Sequence, residues 1–197
     1  MTINEDARTE HIRAQEDEYF RKKDRELVER LRQVDAEAKA RRALEQETGL
    51  HDPGMLSELD ALGFTPDTIA LLPLVPLLQV AWARAGISAA ERTMILNLAR
   101  SRGIDDGSVA DHVLKLWLEV KPSEETFHKA ARLISAIIES PDHRVHVDAE
   151  ELLEYCEKIA HASGGIFGIG VVSAEERAAI QEIAASFHNR RGSLHPD

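Results

Sequence analysis

The chain is predicted to be all-α, and three features of its sequence say so. The first 48 residues are strong helix formers with neither Gly nor Pro among them, a composition that favours continuous helix. Beyond them, apolar residues return every three or four positions between Ser or Asp start signals and Gly or Pro stops. No stretch alternates apolar and polar residues with β-branched enrichment, so no strand of consequence is expected.

The first element is a charged arm over 1–48, with one long helix expected over about 8–47. Its 11 Lys/Arg and 13 Asp/Glu alternate in sign. A stripe at 3–4 spacing runs Phe20, Asp24, Leu27, Leu31, Val34, Ala38, Arg41. Five of those seven are apolar, so the helix carries a narrow seam that can meet a partner. A solvated helix is the competing reading of such a charge run. Gly49 and Pro53 end the element.

The body follows as helix after helix. Asp52-Pro53 reads as an N-cap with proline at the first helical position, and Gly63 stops that short helix. Thr65-Pro66 repeats the start signal. The apolar run from Ile69 to Ala83 contains Pro73 and Pro76, so a turn should precede a buried helix of about 74–84. A helix near 89–102 stops at Gly103. Ser108 and Asp111 open the next, with Val109, Val113, Leu116 and Val120 along one face. Ser123 opens a helix halted by Pro141, and Asp148 with Glu151 opens one ending at Ser163-Gly164. The last spans about 174–189. Residues 190–197 read as a disordered tail.

Composition narrows the function classes. Hydrophobic residues make up 43% of 197, enough for a real core, and aromatics only 5%, so that core is aliphatic. The formal net charge of −11 speaks against nucleic acid, whose phosphates need basic surface. The body carries most of it, with 13 basic against 22 acidic residues. Cys156 is the sole cysteine, which excludes an internal disulfide and a cysteine-based zinc site. The apolar run at 69–83 is shorter than the ~20 residues a bilayer crossing needs, so no transmembrane segment is expected. With no apolar signal core at the N-terminus, the expected location is cytoplasmic.

One phrase occurs twice. Without gaps, residues 87–101 and 172–186 agree at seven of fifteen positions, at an offset of 85. Ser88 with Glu91, and Ser173 with Glu176, make two capping boxes. Replacing either serine with alanine is expected to cost about 1 kcal/mol, as thermal unfolding would read. Capping leaves the following Arg, the phase of Ile95 and Ile180, and Ala99 and Ala184 unaccounted for. A duplicated helix–turn–helix unit accounts for them.

The segments "LLPLVPLLQVAWARAGISAAERTMILNLARSRGI" and "IAHASGGIFGIGVVSAEERAAIQEIA" resemble the TerB-like family, named for tellurite resistance, over about 53–189. The resemblance implies an all-α bundle with internal duplication and a role in stress response. It also implies acids near the inter-helix loops that bind a divalent metal, here Glu91 and Glu176. Where the family pattern commonly has Ala-Asp-Gly, this chain has Arg84-Ala85-Gly86. Arginine cannot replace a hard oxygen ligand.

Other motifs carry less. Asp142, His143, His146 and Asp148 combine imidazole and carboxylate, but Asp148 is already claimed as an N-cap. The Gly-rich Ser163–Gly170 lacks a Gly-Lys-Ser/Thr ending and a preceding strand, so it reads as a tight turn and not a phosphate loop. His112, His128, His161 and His188 sit on expected helices without a nucleophile pattern. No catalytic residues are found, and the chain is not expected to be an enzyme or to need a cofactor beyond a possible divalent metal.

The arm has its own resemblance. "AQEDEYFRKKDRELVERLR", residues 14–32, is similar to the inhibitory segment of the mitochondrial F1-ATPase inhibitor, with Glu16, Tyr19, Phe20, Arg21, Glu26 and Leu31 matching. That implies a helix entering a subunit cleft with an aromatic pair as anchor. The expected function is therefore non-catalytic: a TerB-like interaction or stress-response module that binds a protein partner through its helical surface and its N-terminal arm. Tyr19, Phe20, Arg21, Leu27 and Leu31 would contact a protein partner or a second copy. The alternatives are regulation of an F1-type ATPase through 14–32 and a divalent-metal sensor.

Overall fold

A computed structural model describes residues 3–145, 147–162 and 172–188, the side chains of 3–17, Phe20 and His188 excepted. Among the described residues there are eight α-helices and no strand. They are α1 Ile3–Thr48, α2 Pro53–Ala61, α3 Val75–Ala81, α4 Ala89–Ser101, α5 Val109–Glu119, α6 Glu124–Glu139, α7 Ala149–Ala162 and α8 Ala174–His188. The expected tail at 190–197, the Gly-rich 163–170 and His146 lie outside the described residues. No described helix is long and apolar enough to cross a membrane.

The chain divides into two units, 1–42 and 43–197. The first is helical throughout its described length, and its side chains from Arg21 to Glu37 are all exposed. The second begins with the end of α1. There Leu44 and Thr48 are buried, and the Glu47 carbonyl accepts from the amides of Arg144 (2.8 Å) and Val145 (3.0 Å). Those two bonds satisfy a carbonyl of the last helical turn, which no helical N–H can reach. Gly49 then leaves the helix with φ of +65°, in the left-handed region that favours glycine.

In the second unit α3 is the centre. Val75, Pro76, Leu77, Leu78, Val80 and Ala81 are all buried, and α4, α6, α7 and α8 all pack on it. A helix apolar on every side has no other stable place. Pro73 lies in a short 3-10 segment, Ile69–Leu74, that leads into it, and Pro76 sits in the first turn of α3, where no helical N–H is lost. Thr65-Pro66 opens no α-helix. The Thr65 amide donates to Thr68 Oγ1 at 2.8 Å, making a local turn that feeds the 3-10 segment.

The start signals behave as their chemistry requires. Asp52, Ser88, Ser108, Ser123, Asp148 and Ser173 each accept from a backbone N–H three residues on. Both Ser88/Glu91 and Ser173/Glu176 close as reciprocal capping boxes. The helices that they open, α4 and α8, pack on the same two neighbours, α3 and α7.

Helix α5 differs from its sequence pattern. The row Val109, Leu116, Val120 faces outward, and Ala110, Asp111, Leu114 and Leu118 face the core. Two apolar rows were available, at 109/113/116/120 and at 110/114/118. The second is the buried one, and Asp111 with its ionic partners lies beside it. Cys156, buried on α7, is surrounded by apolar residues, and burial pushes its thiol up to about 12, with Glu157 adding to the rise.

Candidate functional site

Two features bring together residues that helix formation alone does not explain. The first is a pair of carboxylates. Glu91 and Glu176 stand in the first turns of α4 and α8 and are 2% and 0% exposed. Each uses one oxygen for its capping box: Ser88 N donates to Glu91 Oε2 and Ser173 N to Glu176 Oε2, both at 2.7 Å. The two side chains are close enough to repel each other. Burial is the main cause that raises the proton affinity of Glu91 above its ordinary value. Bonds from Ser88 offset this in part, the charge of Glu176 adds to it, and Arg84 opposes it. Glu176 Oε1 is buried with no hydrogen-bond partner among the described residues. A buried, unpaired carboxylate oxygen costs stability unless something answers it.

The pair is thus the place where a divalent metal would bind if the TerB-like resemblance holds. The fit is incomplete. A hard cation takes six to eight oxygens, and the described groups here are two carboxylates with a guanidinium, Arg84, acting on Glu91. Among the described residues no three His, Cys, Asp or Glu side chains gather as a metal site. His143 Nδ1 pairs instead with the Ser140 carbonyl, and Asp148 caps α7.

The arginine that follows each capping glutamate has a separate task. Arg92 Nη2 donates to the Leu118 carbonyl at 2.8 Å, and Trp82 Nε1 donates to the neighbouring Trp117 carbonyl at 2.9 Å. Together they satisfy two end carbonyls of α5. Arg177 Nη2 reaches the Val172 carbonyl at 3.1 Å.

The second feature is the exposed row on α1. Tyr19, Leu27, Leu31 and Val34 are 55–59% exposed, and Val28 lies beside them at 45%. Arg21 is exposed too, with Lys23 stacked 5.7 Å from the Tyr19 ring centroid. The Phe20 side chain lies outside the described residues. Of the expected contact residues, Leu27 and Leu31 therefore share a seam open to solvent.

Sequence reasoning missed an ion cluster built on a buried carboxylate. Asp111 is fully buried and accepts from Arg100 Nη2 (2.5 Å), Lys115 Nζ (2.7 Å) and the Gly107 amide (2.9 Å). Lys115 and Arg100 hold its carboxyl far below the usual aspartate range, with the Gly107 bond adding to them. The signal was legible in part, as Lys115 stands four residues after Asp111. A group of lowered pKa contributes stability above its unfolded value and loses it as pH falls through the folded one. Asp111→Asn is therefore expected to lower Tm at pH 7, by less as pH falls below about 4. Thermal melts across that range check it. A shallow cleft of about 360 Å³ also opens between α6 and α8, lined by Gln79, His128, Arg132, Ser135 and Glu182 among others. His128 Nδ1 lies 3.3 Å from Glu182 Oε1 there, and Arg132 is engaged by Glu58.

Compared with family models, curated proteins and solved structures, the chain matches none of them.

Proposed function

We propose that the chain is a non-catalytic interaction module, TerB-like in its body and tied to stress response, that grips a protein partner through its N-terminal arm. The observation that carries this is the row Tyr19, Leu27, Val28, Leu31, Val34, exposed on a helix whose other described exposed residues are mostly charged. Isolated exposed apolar residues need no explanation, but a row at helical spacing is what a groove or a second helix buries. Affinity capture with full-length protein and with Leu27→Asp/Leu31→Asp, compared by mass spectrometry, tests it. Partners retained equally by both place binding elsewhere and sink the reading. The same segment bears the resemblance to the F1-ATPase inhibitor. ATP hydrolysis by an F1-type enzyme, with and without the full chain, tests that branch.

A second reading, a divalent-metal sensor, draws support from the unanswered Oε1 of Glu176 beside Glu91. Calorimetry with calcium, magnesium and zinc is expected to show tighter binding for Arg84→Asp than for wild type, since it exchanges a repelling cation for an oxygen donor. Equal heats from both chains remove this reading.

A further inference from the structure

The arm's seam holds more than apolar residues, and its charges have an order. Asp24, Leu27, Leu31, Val34, Ala38 and Arg41 follow one another at steps of 3, 4, 3, 4 and 3 along α1. That is the spacing a two-helix coiled coil uses for its seam. Within the longer stripe from Phe20, one acid and one base bracket the apolar run Leu27, Leu31, Val34, Ala38.

We propose that the arm pairs with the arm of a second copy, antiparallel, centred between Arg32 and Gln33. The inference rests on the reading of the arm as a docking surface and names its occupant. In this register Leu31 of each copy meets Val34 of the other, Leu27 meets Ala38, and Asp24 meets Arg41. The large side chain always faces the smaller one, which is how facing layers interdigitate. Each end of the strip closes on an opposite charge. Beside it, Arg30 falls next to Glu37 of the second copy.

The parallel, in-register pairing is worse where it matters. It sets Asp24 against Asp24 and Arg41 against Arg41 inside the strip. Its gains, Arg30 with Asp35 and Glu37 with Arg42, lie on the rim. Charges in the strip lose water on pairing and are felt strongly, whereas rim pairs are screened. The antiparallel form carries its own like pair, Arg21 near Arg42, on that screened rim. With 11 basic and 13 acidic residues over 1–48, two arms do not repel in bulk.

The test is sedimentation of the full-length chain, with circular dichroism as the control for helix content. Wild type is expected to dimerise. Asp24→Arg alone and Arg41→Asp alone should each weaken the dimer by about tenfold or more, since each places like charges at both ends. The double variant Asp24→Arg/Arg41→Asp should return to within about threefold of wild type, as each exchanged pair again has opposite signs. Single variants that dimerise as wild type does overturn the antiparallel register. So does a double variant that stays as weak as the singles. A dimer unchanged by Leu31→Asp, or a wild type that stays monomeric at ~100 μM, where a specific homodimer of this kind should assemble, overturns the proposal entirely. In that last case, capture lost on Leu31→Asp leaves the partner-binding function standing without self-pairing.

Discussion

Replacing Gly49 with alanine is expected to destabilise the protein by about 2–5 kcal/mol, from left-handed backbone strain and overpacking together. The residue has φ of +65°, where a Cβ alone costs about 1–2 kcal/mol. The new methyl would also press on Ser140 Oγ, on the backbone N of His143 at 2.8 Å and on the carbonyl carbon of Asp142 at 3.0 Å. The hydroxyl can turn away, but it then gives up the bond Ser140 donates to the Gly49 carbonyl at 2.8 Å. The backbone of 142–143 cannot yield without disturbing the amides of Arg144 and Val145, both held by Glu47. Gly63→Ala is the control. Its φ is +81°, and a Cβ there meets nothing within 4 Å. It should show the backbone cost of about 1–2 kcal/mol without the packing cost. Chemical denaturation of both variants reads the difference, and equal losses would show that the close approach at Gly49 carries no energy.

Glu176→Gln should do the opposite and stabilise the protein by about 1–3 kcal/mol at pH 7. Glutamine keeps the oxygen that accepts from Ser173 N, so the capping box survives. It replaces a fully buried carboxyl whose Oε1 has no partner among the described residues and which lies close enough to Glu91 to raise that group's proton affinity. The same arrangement sets a pH dependence. Glu91 holds its proton more tightly folded than unfolded, so between the two values the folded state binds more protons and stability falls as pH rises. The window lies above the ordinary glutamate range. The slope should shrink in Glu176→Gln, since repulsion is the lesser cause, and vanish in Glu91→Gln, since burial of Glu91 is the greater one. A fall in Tm on Glu176→Gln would contradict this account and show the charge to be compensated in solution, as a bound cation would do.

These expectations show what the sequence exposes and what it hides. Helix starts are local, so Ser88, Ser108, Ser123, Asp148 and Ser173 could be read from a few neighbours each, and the caps lie where expected. Gly49 as the end of α1 is local in the same sense. The face of α5 is not. Val109, Leu116 and Val120 spell as good a stripe as Ala110, Leu114 and Leu118, and the choice shows only in contacts with other elements, the salt link from Asp111 to Arg100 among them. Thr65-Pro66 opens only a turn, which leads into the 3-10 segment Ile69–Leu74. Glu91 and Glu176 were singled out as capping acids and as acids implied by a resemblance. Their mutual repulsion and the unanswered oxygen follow from the packing of α4 and α8 on common neighbours, 85 residues apart in the chain.

The buried thiol on α7 has a practical meaning for all of this work. With its pKa near 12, Cys156 is almost wholly protonated at neutral pH and shielded from solvent, so a maleimide dye should leave native wild type dark. Any cysteine placed on the surface then reports alone. One fluorophore at position 33, exposed and off the seam, would read distances between two chains in a mixture without first stripping the natural sulfur from the molecule.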